Sequence, residues 1–176
     1  MKKTLLCLPL VLAIAACSND EHSSSDTPSD NSPTTIQELE NTGAIPKLDR
    51  SDDVQGLDSD NNGIRDDIDE YVALHYSGAA QVDAANQAAR ANQSVLMADL
   101  QDPTSIRQSN QKLSRATACI YEVFGTSASS IEPAEVSRDL EAISFNTAER
   151  LKKYMEFNKA LDGASWSLPE GGSSCE

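Results

Sequence analysis

Basic residues, histidines and aromatics are all scarce in this chain. The 14 Lys and Arg stand against 28 Asp and Glu, for a formal charge of −14, and Phe, Trp and Tyr make up 5 % of the 176 residues. So acidic a balance argues against nucleic acid and anionic head groups as partners, and suits cations or a basic protein. Two histidines leave little imidazole for catalysis or metal binding. HExxH, GxSxG and Gly-rich phosphate loops are absent, as is any CxxC redox pair. Carboxylates are so widespread that no pair stands out as general acid and base. No alternating apolar pattern is long enough for a sheet, and no internal repeat is present. The chain therefore reads as non-enzymatic, and a hydrolase working through a bound ion is the least favoured reading.

What is present begins at the N-terminus. Lys2 and Lys3 precede an apolar run, Leu5 to Ala16, that is too short to span and remain in a bilayer. Residues 1–16 are expected to be a signal peptide. The stretch Ile14, Ala15, Ala16, Cys17 resembles the lipobox of bacterial lipoproteins. That resemblance implies cleavage before Cys17, diacylation of its sulfur and acylation of the new amine. It also implies outer-membrane anchoring facing the periplasm, because Ser18 is not the Asp that retains such proteins at the inner membrane. More than one acyl chain anchors firmly, at about 0.8 kcal/mol per buried methylene. Removing Lys2 and Lys3 leaves 12 cations against 28 acids.

Of four cysteines, Cys7 leaves with the signal and Cys17 is the expected lipid site. Cys119 and Cys175 remain, an even pair that in an exported protein is expected to form a disulfide rather than two free thiols. Such a bridge closes a long loop, worth roughly 4 kcal/mol in the chain-entropy model.

Residues 17–35, the lipidated Cys and "SNDEHSSSDTPSDNSPTT", hold no aliphatic side chain after the Cys. They cannot bury enough to offset ordering entropy and are expected to be a disordered tether, about 25 Å in mean span. His22 lies here as an idle, solvated side chain. Residues 36–176 form the expected domain. Its first part stays irregular, since Pro46 and Gly56 interrupt any helix.

Helical spacing takes over afterwards. Ile68, Tyr71, Val72 and Tyr76 share one face of a helix that starts near Asp66 and stops at Ser77-Gly78. Val82, Ala85, Ala89 and Leu96 mark an Ala-rich helix with a small packing face. Asp102-Pro103 provides an N-cap and an N1 proline, Ile106, Leu113, Ala116, Ile120 and Val123 a buried stripe, and Gly125 a stop. From Pro133 to about Leu161 the expected inward residues are Val136, Leu140, Ile143, Leu151, Tyr154 and Met155. Asn146 with Glu149 reads as a cap dividing this stretch in two. The expected fold is all-α, a bundle of three to five helices preceded by a loop. Trp166 is expected to pack the C-terminal tail onto it.

That loop, "DSDNNGIRDDID" over residues 58–69, carries the densest chemistry. Ca²⁺ takes roughly six to eight hard oxygens, and an EF-hand loop supplies them from positions 1, 3, 5, 7 (a carbonyl), 9 and 12, with Gly at 6. Asp58, Asp60, Asn62, Ile64, Asp66 and Asp69 fall on those positions, and Gly63 falls where a positive φ is needed. Arg65 stands where an EF-hand has an aliphatic residue, Asp69 where it has Glu, and no helix leads in. The pattern instead resembles the repeat of thrombospondin type 3 domains. The resemblance implies Ca²⁺ held by Asp58, Asp60, Asn62, the Ile64 carbonyl, Asp66 and Asp69, in a single copy without tandem partners. The bland alternative is an acidic loop that caps the following helix. Mg²⁺ is disfavoured by its strict octahedron, and Zn²⁺ by the lack of nearby His or Cys.

The expected function is that of a calcium-binding, lipid-anchored, periplasm-facing module with a protein partner and a structural ion. Its size, charge and address also resemble those of immunity proteins that neutralise periplasmic toxins. An envelope structural or adhesion component is a further alternative.

Overall fold

Six helices and no strand make up the residues that the computed structural model describes, 35–126, 129–161, 163 and 173–176. The signal peptide, Cys7, Cys17, the tether up to residue 34 and Trp166 lie outside them. No helix among the described residues is long and apolar enough to cross a membrane. The expected all-α architecture is observed, with one helix more than expected.

The extra helix is α1, Ile36–Asn41. It falls in the stretch read as irregular, and a local device explains it. Thr35 Oγ1 accepts from the Glu38 N–H while the Glu38 carboxylate accepts from the Thr35 N–H, a full capping box. Thr35 thus belongs to the helical unit, at the end of the expected tether. α1 buries no residue, so it adds nothing to the core.

The other five helices form the bundle. α2 is Asp66–His75, α3 Ala79–Leu96, α4 Pro103–Phe124, α5 Pro133–Ser144 and α6 Ala148–Ala160. α3 lies at the centre, packed against α2, α4, α5 and α6. Its alanines make this possible, because Ala84, Ala85, Ala88, Ala89 and Ala91 are all buried and hold neighbouring axes close. α4 begins as expected, with Asp102 Oδ1 accepting from the Thr104 N–H and Pro103 at N1. The main core joins Ile64, Ile68, Val72, Ile120, Val136 and Leu140; a second joins Val95, Leu96, Ile106, Phe145 and Phe157.

α6 departs from the expected register. Leu151 and Met155 are exposed, at 47 % and 64 %, whereas Arg150 and Phe157 are fully buried. The inward stripe is Arg150, Tyr154 and Phe157; of the three residues expected inward on this helix, Tyr154 alone keeps its place, partly buried against the second core. The cap differs too. Thr147 Oγ1, not Asn146, accepts from the Arg150 N–H, and Asn146 instead donates to the Asp49 carbonyl at 2.9 Å.

Candidate metal centre

Loop 58–69 is closed at its base by the Asp66 N–H, which donates to the Leu57 carbonyl at 2.9 Å. Two residues turn the chain through the left-handed region, Gly63 at φ +84° and Asn61 at φ +59°. Gly63 is the expected turn residue; Asn61 shares the work because its short polar side chain tolerates that conformation.

Four of the expected ligand residues converge. Asn62 is their hub: its amide nitrogen donates to Asp60 Oδ2 at 3.2 Å and to Asp69 Oδ2 at 2.9 Å. Its backbone N–H faces Asp58 Oδ1 at 3.2 Å and Asp60 Oδ1 at 3.1 Å. Asp58 Oδ2 accepts from the Gly63 N–H at 3.0 Å, and Asn62 Oδ1 from the Ile64 N–H at 2.8 Å. Ile64 buries its side chain in the main core, which fixes the peptide that bears the expected carbonyl ligand. Asp66 is engaged elsewhere, its two oxygens accepting from the Ser59 N–H at 2.8 Å and the Ser59 hydroxyl at 2.6 Å.

The electrostatics follow from this crowding. Burial raises the Asp69 carboxyl above its ordinary value, the Asn62 amide opposes the rise, and the charges of Asp60, Asp58 and Asp66 add to it. Asp66 is held below its ordinary value by the Ser59 hydroxyl and N–H. Among the described residues no group of three or more His, Cys, Asp or Glu side chains is arranged to hold a metal ion as it stands, for the carboxylates turn to N–H donors. The donor set itself is made of hard oxygens, which is the chemistry of Ca²⁺. The amide –NH₂ of Asn62, a neutral donor, stands between Asp60 and Asp69.

Beneath the loop lies a network that the sequence reading missed. Arg65 is fully buried, pairs through Nε and Nη2 with both oxygens of Asp67 at 2.8 and 2.7 Å, and donates to the Ser144 and Ile143 carbonyls at the end of α5. Those carbonyls are orphan acceptors at a helix C-terminus, so a cation there is doubly favoured. Asp67 Oδ2 also accepts from the Asp49 N–H at 2.8 Å. Arg150, likewise buried, donates to the carbonyls of Asp49, Asp53 and Val54 and to Asp49 Oδ2. Two buried guanidinium groups thus tie residues 49–54 and 65–67 to α5 and α6. The signal in the sequence was Arg65 itself, out of place in an EF-hand pattern.

Gly56 completes the packing. It sits at φ +71°, and a Cβ there would lie 2.4 Å from Arg65 Cδ. An acidic cleft of 430 Å³ opens at this place, lined by Asp49, Asp53, Gly56, Leu57, Asp66 and Asp67 among others.

His75 is exposed and stacked on Tyr71, with ring centroids 3.8 Å apart. Cys119 of α4, in the main core, is joined to Cys175, with Cα atoms 4.8 Å apart. The tail is held further by the Gln87 amide, which donates to the Ser174 carbonyl at 3.0 Å, and by Glu122, which accepts from the Ser174 N–H at 3.2 Å. No family model, no curated protein and no solved structure matches this chain.

Proposed function

We propose that the protein is a non-catalytic, lipid-anchored module of the bacterial envelope whose loop 58–69 binds one structural Ca²⁺. The observation that carries this reading is the convergence of Asp58, Asp60 and Asp69 on the single residue Asn62. Carboxylates that crowd one neutral amide repel one another, and a divalent ion relieves that repulsion where an N–H cannot. Asp58, Asp60, Asn62 and Asp69 would hold the ion with the Ile64 carbonyl, and Asp66 would join on release from Ser59.

The ion's role is to join what is already braced. Arg65 and the first turn of α2 belong to the loop, so a bound ion adds to the arginine network in fixing residues 49–65 on the bundle. Affinity is expected in the range of about 10⁻⁴ to 10⁻³ M found for extracellular modules, which suits a permanently calcium-replete compartment. Cys17 supplies the membrane anchor, and the acidic surface suits a basic protein partner. Calorimetric titration with Ca²⁺ tests the ion, and mass analysis of the Cys17 peptide tests the anchor. A silent titration at millimolar Ca²⁺ overturns the first, and an unmodified Cys17 in the mature protein the second.

A further inference from the structure

A second concavity opens among the bundle helices, away from loop 58–69. It measures 180 Å³ and lies between α3, α4, α5 and α6, close in volume to an engineered apolar cavity of about 150 Å³ that accepts benzene. Ala88, Ala116, Ile120 and Leu140 form its apolar wall, and all four are buried. Against them stand Asn92, Thr117, Ser137, Glu141 and Tyr154, contributed by all four helices.

The polar side is incompletely satisfied. Ser137 Oγ is buried without a hydrogen-bond partner. Asn92 is 7 % exposed and is fixed by its amide nitrogen, which donates to Ser144 Oγ at 3.2 Å. The Tyr154 ring is held in place by stacking on Phe145, with centroids 4.2 Å apart. A buried hydroxyl without a partner is rare in folded proteins, and a polar group on a bound molecule would complete it.

The charge of the wall selects the kind of molecule. Glu141, a solvent-exposed residue, is its one acidic side chain, and no Lys, Arg or His lines it. An anion would meet only repulsion there, whereas an ammonium group meets a carboxylate, hydroxyls and an aromatic ring. The net charge of −14 also raises the local concentration of small cations. From this we infer a binding site for a small organic ammonium ion, its apolar body against Ala88, Ala116 and Leu140 and its nitrogen toward Glu141 and Ser137.

Benzylamine and benzyl alcohol are the probes, titrated separately into the purified protein at matched ionic strength and followed by amide NMR shifts. Benzylamine is expected to produce saturable shifts at Asn92, Thr117 and Ser137. Glu141→Gln is expected to weaken benzylamine at least tenfold and leave benzyl alcohol unchanged, which also shows the cavity intact. Ser137→Ala is expected to weaken both probes severalfold. Linear, unsaturated shifts scattered over the acidic surface overturn the assignment, and so does Glu141→Gln binding benzylamine as the parent does or losing both probes alike.

Discussion

Arg65 Nη2 lies 2.7 Å from Asp67 Oδ2, with the guanidinium wholly out of solvent. The two residues are neighbours in sequence, but their pairing serves distant elements. Arg65 reaches the end of α5, and Asp67 receives the Asp49 N–H. Removing the acid alone leaves a buried cation without its counter-charge. Asp67→Ala is therefore expected to cost about 3–5 kcal/mol, and Asp67→Asn less, since an amide oxygen still accepts one bond. Urea unfolding midpoints decide it; parent-like stability for Asp67→Ala contradicts the network.

Gly56 and Gly43 offer a matched comparison. Both have φ near +70°, but a Cβ at Gly43 meets nothing within 4 Å whereas one at Gly56 strikes the Arg65 side chain. Gly43→Ala is expected to cost roughly 1–2 kcal/mol for the left-handed backbone alone. Gly56→Ala adds overpacking of about 1–3 kcal/mol. Thermal melts of the two variants should rank them in that order, and equal losses contradict the close approach.

Acid stability should depend on Asp49. Burial alone raises its carboxyl, but the Ser51 N–H and hydroxyl and the Arg150 guanidinium outweigh this and hold it below the ordinary value of 3.8. A depressed carboxyl stabilises the fold above the unfolded value and loses that contribution as pH falls through the folded one. Below about pH 4 the parent should lose stability more steeply than Asp49→Asn, which starts lower at pH 7. Parallel pH curves for the two proteins contradict this.

Reduction of the Cys119–Cys175 bond should release the tail from α4. The sequence separation of 56 corresponds to about 4 kcal/mol in the chain-entropy model. A melting temperature unchanged by dithiothreitol contradicts that contribution.

The bundle was legible where burial is apolar. Ile68, Tyr71 and Val72 on α2, and Ala116 and Ile120 on α4, lie in the core because their spacing already marks one face of a helix. α6 was misread for the opposite reason. Arg150 occupies the inward position, and a buried arginine betrays itself only through partners such as Asp49, 101 residues away. α1 buries nothing and so shows no apolar periodicity; its one legible signal is the capping-box pair Thr35 and Glu38. In the loop, spacing alone gathered Asp58, Asp60, Asn62 and Asp69 onto one side. It did not reveal Ser59, whose hold on Asp66 depends on the fold of the loop.

Calcium-dependent stability tests the central claim most directly. At a few millimolar Ca²⁺, about ten times a dissociation constant in the expected range, a ligand that binds only the folded state contributes ~1.4 kcal/mol, a rise of roughly 3–6 °C for a domain of this size. Melting of the parent with and without millimolar Ca²⁺ should show that rise, and Asp58→Ala with Asp60→Ala should remove it. Identical melting curves for the parent in Ca²⁺ and in chelator would contradict the account.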